Sequence, residues 1–379
     1  MTGFSIALLV LTALGALYYV LSTCALVSRF RKRPRHSIAQ TTPKVSILKP
    51  VSGLDHDARS NFDSYVNQDY GDYEVLFGVL DSDDPSVPVI GHCVRGLRHA
   101  ALSVGAEIAG SNNKVRILHN LAKRAGGDIL VVTDADTRVT PDFLKRIVAP
   151  FENKSVGVVT CMYRGIQAGS AATALEGLYM TSVFAPGAAC ADCLGGIDFA
   201  LGAAVAIRKT ALIAIGGFES IDDYLADDFQ LGRRAARTGF EVKLSDYVVD
   251  VVLSRESLRS VLARELRWCL TTKASRPWGH LGLAVTYGFA YSVLFLAVSG
   301  FSTVGWSVLA GVAGVRTASA WVGARKCLGD REFAKRVYLL PACDLLCFGI
   351  WIVGYFSRTV QWRGRRLRLA RGGKIEAAA

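Results

Sequence analysis

The sequence predicts an α/β domain between an N-terminal membrane anchor and C-terminal transmembrane or interfacial helices. Apolar stretches lie at both ends of the 379-residue chain, which is 51% hydrophobic. Strand-like and helix-like segments alternate in the middle, as in sheets whose faces are covered by helices. Short acidic motifs follow several of the predicted strands. We predict an anchor at 1–30, a cytosolic α/β domain at 43–275, membrane helices at 279–358 and a basic tail at 359–379.

The anchor is predicted from residues 4–28, which contain no charge and can cross a hydrocarbon layer of about 30 Å. A cleaved signal peptide fits less well, because no Lys or Arg precedes the run and the run exceeds the usual apolar core of about 7–15 residues. A basic cluster follows at once: Arg29, Arg31, Lys32, Arg33 and Arg35. Positive residues favour the cytosolic side, so the sequence predicts an integral membrane protein with its α/β domain in the cytosol.

The C-terminal part has a charge-free stretch at 281–315, enough for two spans or for one span and an interfacial helix. A further apolar stretch at 337–356 contains Asp344, and Arg316 directly follows the first stretch. Both charges would be costly against lipid, so we expect them to pair. The basic residues of the loop at 325–336 and of the tail favour the cytosol, and both preferences are met if one apolar segment re-enters or lies in the interface. The basic tail residues are Arg358, Arg363, Arg365, Arg366, Arg368, Arg371 and Lys374.

The net charge of +12 is concentrated in clusters beside the apolar segments. Anionic lipid headgroups are therefore the expected partners. No nucleic-acid motif accompanies these clusters, so no nucleic-acid partner is expected. Several of the nine cysteines lie in apolar segments, which indicates reduced thiols. Cys190 and Cys193 resemble half of a zinc site, but no second pair has suitable spacing.

The middle of the chain predicts strands at 44–48, 73–79 and 129–133, with a weak strand at 106–108. Helices are predicted at 59–66 and 87–104, and a further helix continues through 120–125. This alternation predicts a parallel sheet with both faces covered.

Carboxylates follow these strands. Asp134 and Asp136, one residue apart after the apolar strand 129–133, supply hard oxygen ligands for a divalent cation that can hold a diphosphate. The alternative for this pair is an ordinary surface loop. Asp55 and Asp81 follow the first two strands and can accept hydrogen bonds from a uracil N–H or a ribose hydroxyl. For the segment at 83–85, the alternative is a helix cap.

Further along, Lys114 can reach a phosphate oxygen or can be an exposed lysine on a helix start. Asp228 is the candidate base that takes a proton from an acceptor hydroxyl, whereas Asp227 suits a helix N-terminus. Arg264 and Arg267 share a helix face, with Trp268 beside them, and could bind a leaving diphosphate; an amphipathic helix gives the same pattern. The segment 171–183 is either an interfacial helix or a buried core helix.

The order of these motifs carries a resemblance. Lys-Pro-x-x-Gly-x-Asp at 49–55, Asp81, Asp134-x-Asp136, Asp228 and Arg-x-x-Arg-Trp at 264–268 together resemble processive-type family 2 transferases. The likeness is greatest to glycosyltransferase family 21, the ceramide glucosyltransferases, and it extends to bacterial enzymes that add N-acetylglucosamine to hopanoids. This chain departs from the family at Ile117, where an asparagine commonly stands, so contact of that loop with the donor sugar is less expected.

The resemblance implies a GT-A, Rossmann-like fold, a UDP-sugar donor, a divalent cation (Mg²⁺ or Mn²⁺) and an inverting mechanism. The roles it implies are the following. Asp55 and Asp81 hold the uridine, Lys114 contacts phosphate, Asp134 and Asp136 position the metal-bound diphosphate, Asp228 deprotonates the lipid hydroxyl, and Arg264 and Arg267, with Trp268 shaping the wall, stabilise charge on the leaving UDP.

The predicted function is transfer of glucose or N-acetylglucosamine from a UDP-sugar to the hydroxyl of a membrane lipid, ceramide-like or hopanoid, at a bacterial inner membrane. One alternative is a processive polysaccharide synthase, which usually has more spans and begins its last motif with Gln where Arg264 stands here. The other alternative is a non-catalytic membrane scaffold. The carboxylates are intact at all four acidic positions, namely Asp55, Asp81, the Asp134–Asp136 pair and Asp228, which argues against a scaffold.

Overall fold

The computed structural model describes residues 2–31, 42–108, 110–357, 359–362, 365–370 and 372–377. Several predicted basic residues lie outside these ranges: Lys32, Arg33, Arg35, Arg358, Arg363 and Arg371. The chain divides into two compact units. The α/β unit comprises Arg33–Gln167 and Leu194–Ser254, and the helical unit comprises Met1–Lys32, Ala168–Cys193 and Arg255–Ala379. The functional domain bounds expected from the sequence stay a prediction.

An eight-stranded sheet forms the α/β unit, in the order β3-β2-β1-β4-β7-β6-β8-β5. Its strands are β1 Val45–Pro50, β2 Tyr73–Val79, β3 Ala100–Val104, β4 Ile129–Thr133, β5 Thr137–Arg138, β6 Val156–Ile166, β7 Ala204–Arg208 and β8 Glu241–Val252. A separate antiparallel sheet in the helical unit contains β9 Thr359–Trp362, β10 Arg365–Leu369 and β11 Ile375–Ala377.

The large sheet is mixed, so the expectation of a parallel sheet is wrong for its second half. Strands β3, β2, β1 and β4 are parallel neighbours. Strand β7 then runs antiparallel to both β4 and β6, while β6 and β8 are parallel and β5 is antiparallel to β8. A strand that pairs antiparallel to its neighbours needs no crossover helix. The alternation of strands and helices along the sequence therefore does not reveal the direction of β7.

The helices of the described residues are α1 Gly3–Arg31, α2 Ala58–Val66, α3 Val87–Val94, α4 Asn113–Arg124, α5 Phe143–Val148, α6 Ala171–Tyr179, α7 Ala185–Gly195, α8 Lys209–Ala214, α9 Asp227–Arg237, α10 Leu258–Ser275, α11 Pro277–Gly282, α12 Gly288–Val298, α13 Thr303–Trp321, α14 Phe333–Arg336 and α15 Leu340–Phe356. Helices α2, α3, α4, α5, α8 and α9 lie in the α/β unit.

Apolar runs place the central strands, and the strands predicted at 73–79 and 129–133 have these bounds in the structure. All residues of β1 and β4 are buried, as expected of strands covered on both faces. The long helix predicted at 87–104 is wrong, because α3 ends at Val94 and Gly96 follows with a φ of 78°. The strand expected at 106–108 lies instead at 100–104, as β3.

Among the described residues, two helices of the helical unit are long and apolar enough to cross a membrane: α1 and the continuous segment Phe333–Phe356. The segments Pro277–Thr286 and Gly288–Val298 pass the same test only together, and they are bent by 53°. The candidate span α1 corresponds to the expected anchor. The bent pair is either one broken span or a re-entrant segment, so the expectation that an apolar segment re-enters or lies in the interface stays a prediction.

The expected pairing of Arg316 with Asp344 is confirmed. Nη2 of Arg316 lies 2.7 Å from Oδ1 of Asp344, and Nε lies 2.9 Å from Oδ2. The same guanidinium donates to the carbonyl and the hydroxyl of Ser182. Because Arg316 and Asp344 are 3% and 7% exposed, this bidentate pair is buried within the helical unit.

The segment at 171–183 favours the buried-helix alternative. Helix α6 begins at a capping box formed by Ser170 and Thr173 and continues into a π-helical turn at Met180–Phe184. Leu178 packs with Phe333 and Leu340 in a core cluster. Glu176, the one charge of the segment, is 2% exposed.

Candidate active site

The carboxyl ends of β2, β1 and β4 meet at one edge of the sheet, since these strands are parallel neighbours. Asp81, Asp55 and Asp134 follow the three strands and therefore stand at this edge. Asp81 lines an open cleft of about 600 Å³ with Leu80, Ser82, Asp83, Asp84 and Val104. This is the edge at which the sequence predicts the nucleotide site.

Asp84 links the first two loops of this edge. Its Oδ2 accepts a hydrogen bond of 2.8 Å from the backbone N–H of Gly53, and its Oδ1 accepts one of 2.9 Å from the N–H of Ser86. Ser86 is the N-cap of helix α3 and makes no side-chain cap hydrogen bond, so the capping alternative for the segment at 83–85 stays a prediction. Asp81 and Asp83 are both exposed. Asp81 lies nearer to the end of β2, separated from it only by Leu80.

Lys114 joins two acidic motifs that are far apart in the chain. Its Nζ lies 2.8 Å from Oδ1 of Asp134 and 3.1 Å from Oδ2 of Asp227. Lys114 is in the first turn of α4, where the side chain of Asn112 accepts hydrogen bonds from the N–H groups of Lys114 and Val115. The structure therefore brings Lys114 to the acidic groups rather than leaving it as an exposed helix lysine.

Gly202 shows that Asp228 belongs to the same cluster. A Cβ atom placed on Gly202 would lie 3.0 Å from Oδ2 of Asp228 and 3.8 Å from Oδ2 of Asp134. A Cβ atom here would therefore be crowded against Asp228 and in ordinary van der Waals contact with Asp134. Asp227 and Asp228 are the first residues of α9, where the helix N-terminus favours negative charge. The turn after β4 and the start of α9 thus place Asp134, Asp227, Asp228 and Lys114 together.

Electrostatics suit Asp228 to proton transfer near neutral pH. Burial and the neighbouring charge of Asp227 raise the pKa of Asp228 to about 7, against the opposing effects of Lys114 and the N–H of Phe229. Burial opposes the charge of Lys114, but Asp134 and Asp227 outweigh it and raise the pKa of Lys114, so this ammonium stays protonated. A carboxylate whose pKa lies near the working pH is an effective general base.

Lys49 lies beneath the Asp134–Asp136 turn and is fully buried. Its Nζ donates a hydrogen bond of 2.6 Å to the backbone carbonyl of Asp134. Burial lowers the pKa of Lys49 to about 7, against the opposing charges of Asp136, Asp134 and Asp55. These three carboxylates therefore lie within electrostatic reach of one ammonium.

Asp134 and Asp136 fit a divalent cation that arrives with a diphosphate. They supply hard oxygen donors at a strand end, the type of ligand that Mg²⁺ and Mn²⁺ prefer. In the part of the chain that the structure describes, no group of three or more His, Cys, Asp or Glu residues could hold a metal ion. Two carboxylates completed by phosphate oxygens and water suit such a cation, as is common for Mg²⁺.

The Arg-x-x-Arg-Trp motif lies on α10 in the helical unit. Nε and Nη2 of Arg264 lie 2.7 and 2.9 Å from the two carboxylate oxygens of Glu176, and Nη2 also lies 2.9 Å from Glu256. Trp268 stacks on Tyr179 with ring centroids 6.1 Å apart. Arg264 is therefore already held by two carboxylates that sequence reasoning did not assign to it. The roles expected of Arg264, Arg267 and Trp268 toward the diphosphate stay predictions.

Sequence reasoning also missed the buried groups that support the site. The sequence shows Lys49 as the first residue of the Lys-Pro motif, at the end of an apolar strand. It does not show that Lys49 supports the turn that follows a different strand, β4. Thr137 lies with its side-chain oxygen 3.3 Å from Nζ of Lys49, and the phenol oxygen of Tyr65 lies 2.6 Å from that of Thr137; neither residue belongs to a motif. Gly202 lies in the small-residue run Gly202-Ala203-Ala204, which gives no local signal of a neighbouring carboxylate.

Comparison with known proteins places the chain in a family. The family model described as Glycosyl transferase family 21 matches residues 8–375. This chain belongs to glycosyl transferase family 21. Ceramide glucosyltransferase 3 of Caenorhabditis elegans is 26% identical to this family 21 chain over 367 residues, covering 92% of it and 77% of the relative. Ceramide glucosyltransferase 1 of the same organism is 22% identical over 384 residues, covering 96% and 80%.

A solved structure supports the fold of this family 21 chain. The mannosyltransferase PcManGT from Pyrobaculum calidifontis, in complex with GDP-Man and Mn²⁺, is 18% identical and covers 93% of this chain and 98% of its own, with a TM-score of 0.55. The predicted GT-A fold is confirmed: the chain has the mixed α/β sheet of GT-A glycosyltransferases, with candidate membrane spans at its N-terminal and C-terminal helices. It is thus a membrane-associated glycosyltransferase similar to ceramide glucosyltransferases.

Proposed function

We propose that this family 21 protein is an inverting glycosyltransferase that moves a hexose from a UDP-sugar to the hydroxyl of a membrane lipid. The observation that carries the proposal is the convergence of Lys114 and Asp227 with Asp134, and of Asp134 with Asp228 at Gly202. The names of its relatives favour glucose and a ceramide-like acceptor. N-acetylglucosamine and a hopanoid acceptor are the other pair that the family resemblance allows.

The chemistry follows from the proposed roles. Asp228 accepts the proton of the lipid hydroxyl as that oxygen attacks the anomeric carbon, and the bond to the diphosphate breaks on the opposite face. Attack on an α-linked donor gives a β-glycoside, and a single base suffices because no covalent intermediate forms. Asp55 and Asp81 hold the uridine, and Lys114 contributes positive charge toward the phosphates.

Asp134 and Asp136 are the residues that would hold Mg²⁺ or Mn²⁺. A bound cation supplies charge neutralisation of the diphosphate. The solved mannosyltransferase with a nucleotide sugar and Mn²⁺ has the same fold and supports a cation and a nucleotide-sugar donor in general. Arg264 and Arg267, with Trp268, are proposed to favour departure of the nucleotide, as the family resemblance implies.

The lipid acceptor is proposed from the membrane character of the chain. Helix α1 is a candidate span whose last turn carries Arg29 and Arg31. Positive residues favour the cytosolic side, so we propose that the α/β unit lies in the cytosol, at a bacterial inner membrane whose anionic headgroups attract the basic clusters.

The test is an acceptor–donor matrix on the purified full-length protein in detergent. UDP-glucose and UDP-N-acetylglucosamine are each combined with ceramide and with a hopanoid polyol, and products are identified by mass spectrometry together with UDP release. One glycolipid of defined mass is expected, with Asp228→Asn as the inactive control. A ladder of products would support a polysaccharide synthase instead, and absence of UDP release with every pair would support a scaffold.

A further inference from the structure

We propose that Lys49 is a positioning residue whose buried ammonium fixes the turn carrying Asp134 and Asp136, so that both carboxylates present oxygens to a cation–diphosphate pair. The inference rests on the proposed function. It adds a role that neither the motif nor the family likeness assigns to this lysine.

The first step is the placement of Lys49. Strand β1 lies parallel to β4, with Leu48 beside Val132 in register. Lys49 is the next residue of β1 and is 0% exposed. Its side chain reaches past the end of β4, and its Nζ donates a hydrogen bond of 2.6 Å to the carbonyl of Asp134. The ammonium therefore acts on the backbone of the turn.

The second step is the network that closes around this carbonyl. The hydroxyl of Thr137 donates a hydrogen bond of 2.6 Å to the same carbonyl, and Nζ of Lys49 lies 3.3 Å from the Thr137 oxygen. The phenol oxygen of Tyr65 lies 2.6 Å from Thr137. Thr137 and Tyr65 are both 0% exposed, so both ends of the three-residue Asp134–Asp136 turn are tied to buried groups. A turn restrained in this way holds its two carboxylates in one arrangement.

The third step is the cost of the lysine. A buried ammonium is expensive unless it is paired and hydrogen-bonded, and an apolar residue of similar length would fill the space at less cost. Lys49 is compensated by the Asp134 carbonyl and by the face of the Tyr65 ring, whose centroid lies 3.9 Å from Nζ. Methionine has no N–H group and could not donate the hydrogen bond to the Asp134 carbonyl, so this arrangement favours a role that an apolar residue would not fill.

Electrostatics gives the proposal a sign that can be tested. Any positive charge on Lys49 repels a cation at Asp134 and Asp136, so removal of the amino group should by charge alone strengthen cation binding there. Loss of the restraint on the turn should weaken that binding. The direction of the change therefore separates a positioning role from a purely electrostatic one, and an effect on unfolding temperature alone would indicate a merely structural lysine.

The experiment measures Mn²⁺ binding in the presence of UDP, by electron paramagnetic resonance of the free ion, on the full-length protein in detergent. Lys49→Met is expected to weaken binding about 10–100-fold, as for loss of other groups that orient metal ligands. The matched control is Lys209→Met, because Nζ of Lys209 also donates to a backbone carbonyl of the α/β unit, that of Ala125 at 3.1 Å. Lys209→Met should leave Mn²⁺ binding unchanged.

A second pair of variants decides the matter if Lys49→Met does not fold. Thr137→Val removes the hydroxyl at nearly constant shape and should weaken Mn²⁺ binding, whereas Thr137→Ser should retain it. Suppose that the wild-type protein binds Mn²⁺ with UDP and that Lys49→Met and Thr137→Val bind it equally well or more tightly. This result would overturn the inference about Lys49 but not the proposed function. A wild-type protein that binds no Mn²⁺ with UDP would overturn the proposed function, and this inference with it.

Discussion

Replacement of Asp228 by asparagine tests the proposed base most directly. Asparagine keeps the shape of the side chain but cannot accept the proton of the lipid hydroxyl. General-base help is worth about 10²–10⁴-fold, so turnover should fall by that order. Binding of the UDP-sugar should be retained, because the uridine and diphosphate are assigned to other residues. Since burial and Asp227 raise the pKa of Asp228 to about 7, wild-type kcat/KM should rise as pH increases through about 7.

The same substitution should stabilise the protein above neutral pH. The difference between a pKa of about 7 in the folded state and the ordinary value of 3.8 corresponds to an upper bound of roughly 4 kcal/mol, reduced by the partial solvent contact of Asp228. The folded state binds the proton more tightly, so wild-type stability falls as pH rises from about 4 to 7 and stays lower above that window. Asparagine does not ionise, so the variant escapes this loss.

The assay combines UDP release, UDP-sugar binding and thermal unfolding in detergent at about pH 5 and pH 8. Asp223→Asn is the matched control, since Asp223 lies shortly before α9 and accepts hydrogen bonds from the backbone N–H and the hydroxyl of the exposed Ser111. The control should keep activity and the pH dependence of unfolding. Comparable turnover in Asp228→Asn, or a wild-type rate that does not change between these pH values, would refute the assignment of Asp228 as base.

Three further predictions concern packing and space. Arg316→Leu should destabilise the protein by about 3–5 kcal/mol, because it leaves the buried Asp344 carboxylate unpaired, and exchange of the two charges should recover part of the loss in unfolding temperature. Gly202→Ala places a Cβ 3.0 Å from the candidate base, so turnover should fall several-fold at an almost unchanged unfolding temperature; equal turnover would contradict that geometry. Glu176→Gln should cost about 1.5–3 kcal/mol, and combining it with Arg264→Gln should cost less than the sum of the single changes, as measured by unfolding in detergent.

The sequence predicts those strands and helices that depend on local residue patterns. Strand β4 is a run of buried apolar and β-branched residues, and its bounds follow from composition alone. Helix α3 is shorter than predicted because the chain leaves the helical conformation at Arg95 and Gly96 follows with a positive φ, before β3 begins at Ala100. The antiparallel entry of β7 depends on pairing with β4 and β6, which leaves no local signal in Ala204–Arg208.

The candidate site was predictable where polar residues follow strands. Asp134 stands at the sheet edge because its strand ends there, and Asp228 was assigned from its acidic pair at a helix start. The partners of these residues were not predictable, because they depend on contacts across the fold. Glu176 binds Arg264 across 88 residues of sequence, and Lys49 reaches the Asp134 carbonyl across 85. Neither contact has a spacing that periodicity or a motif records.

The buried pair of Arg316 and Asp344 has a consequence for biogenesis. The ribosome delivers helix α13 before helix α15, so the guanidinium arrives ahead of the carboxylate that neutralises it. A buried charge that has lost its partner is strongly destabilising, by about 3–5 kcal/mol. Packing of α13 within the helical unit should therefore be complete only once α15 is present, and a chain truncated before Asp344 should leave the guanidinium of Arg316 without its carboxylate.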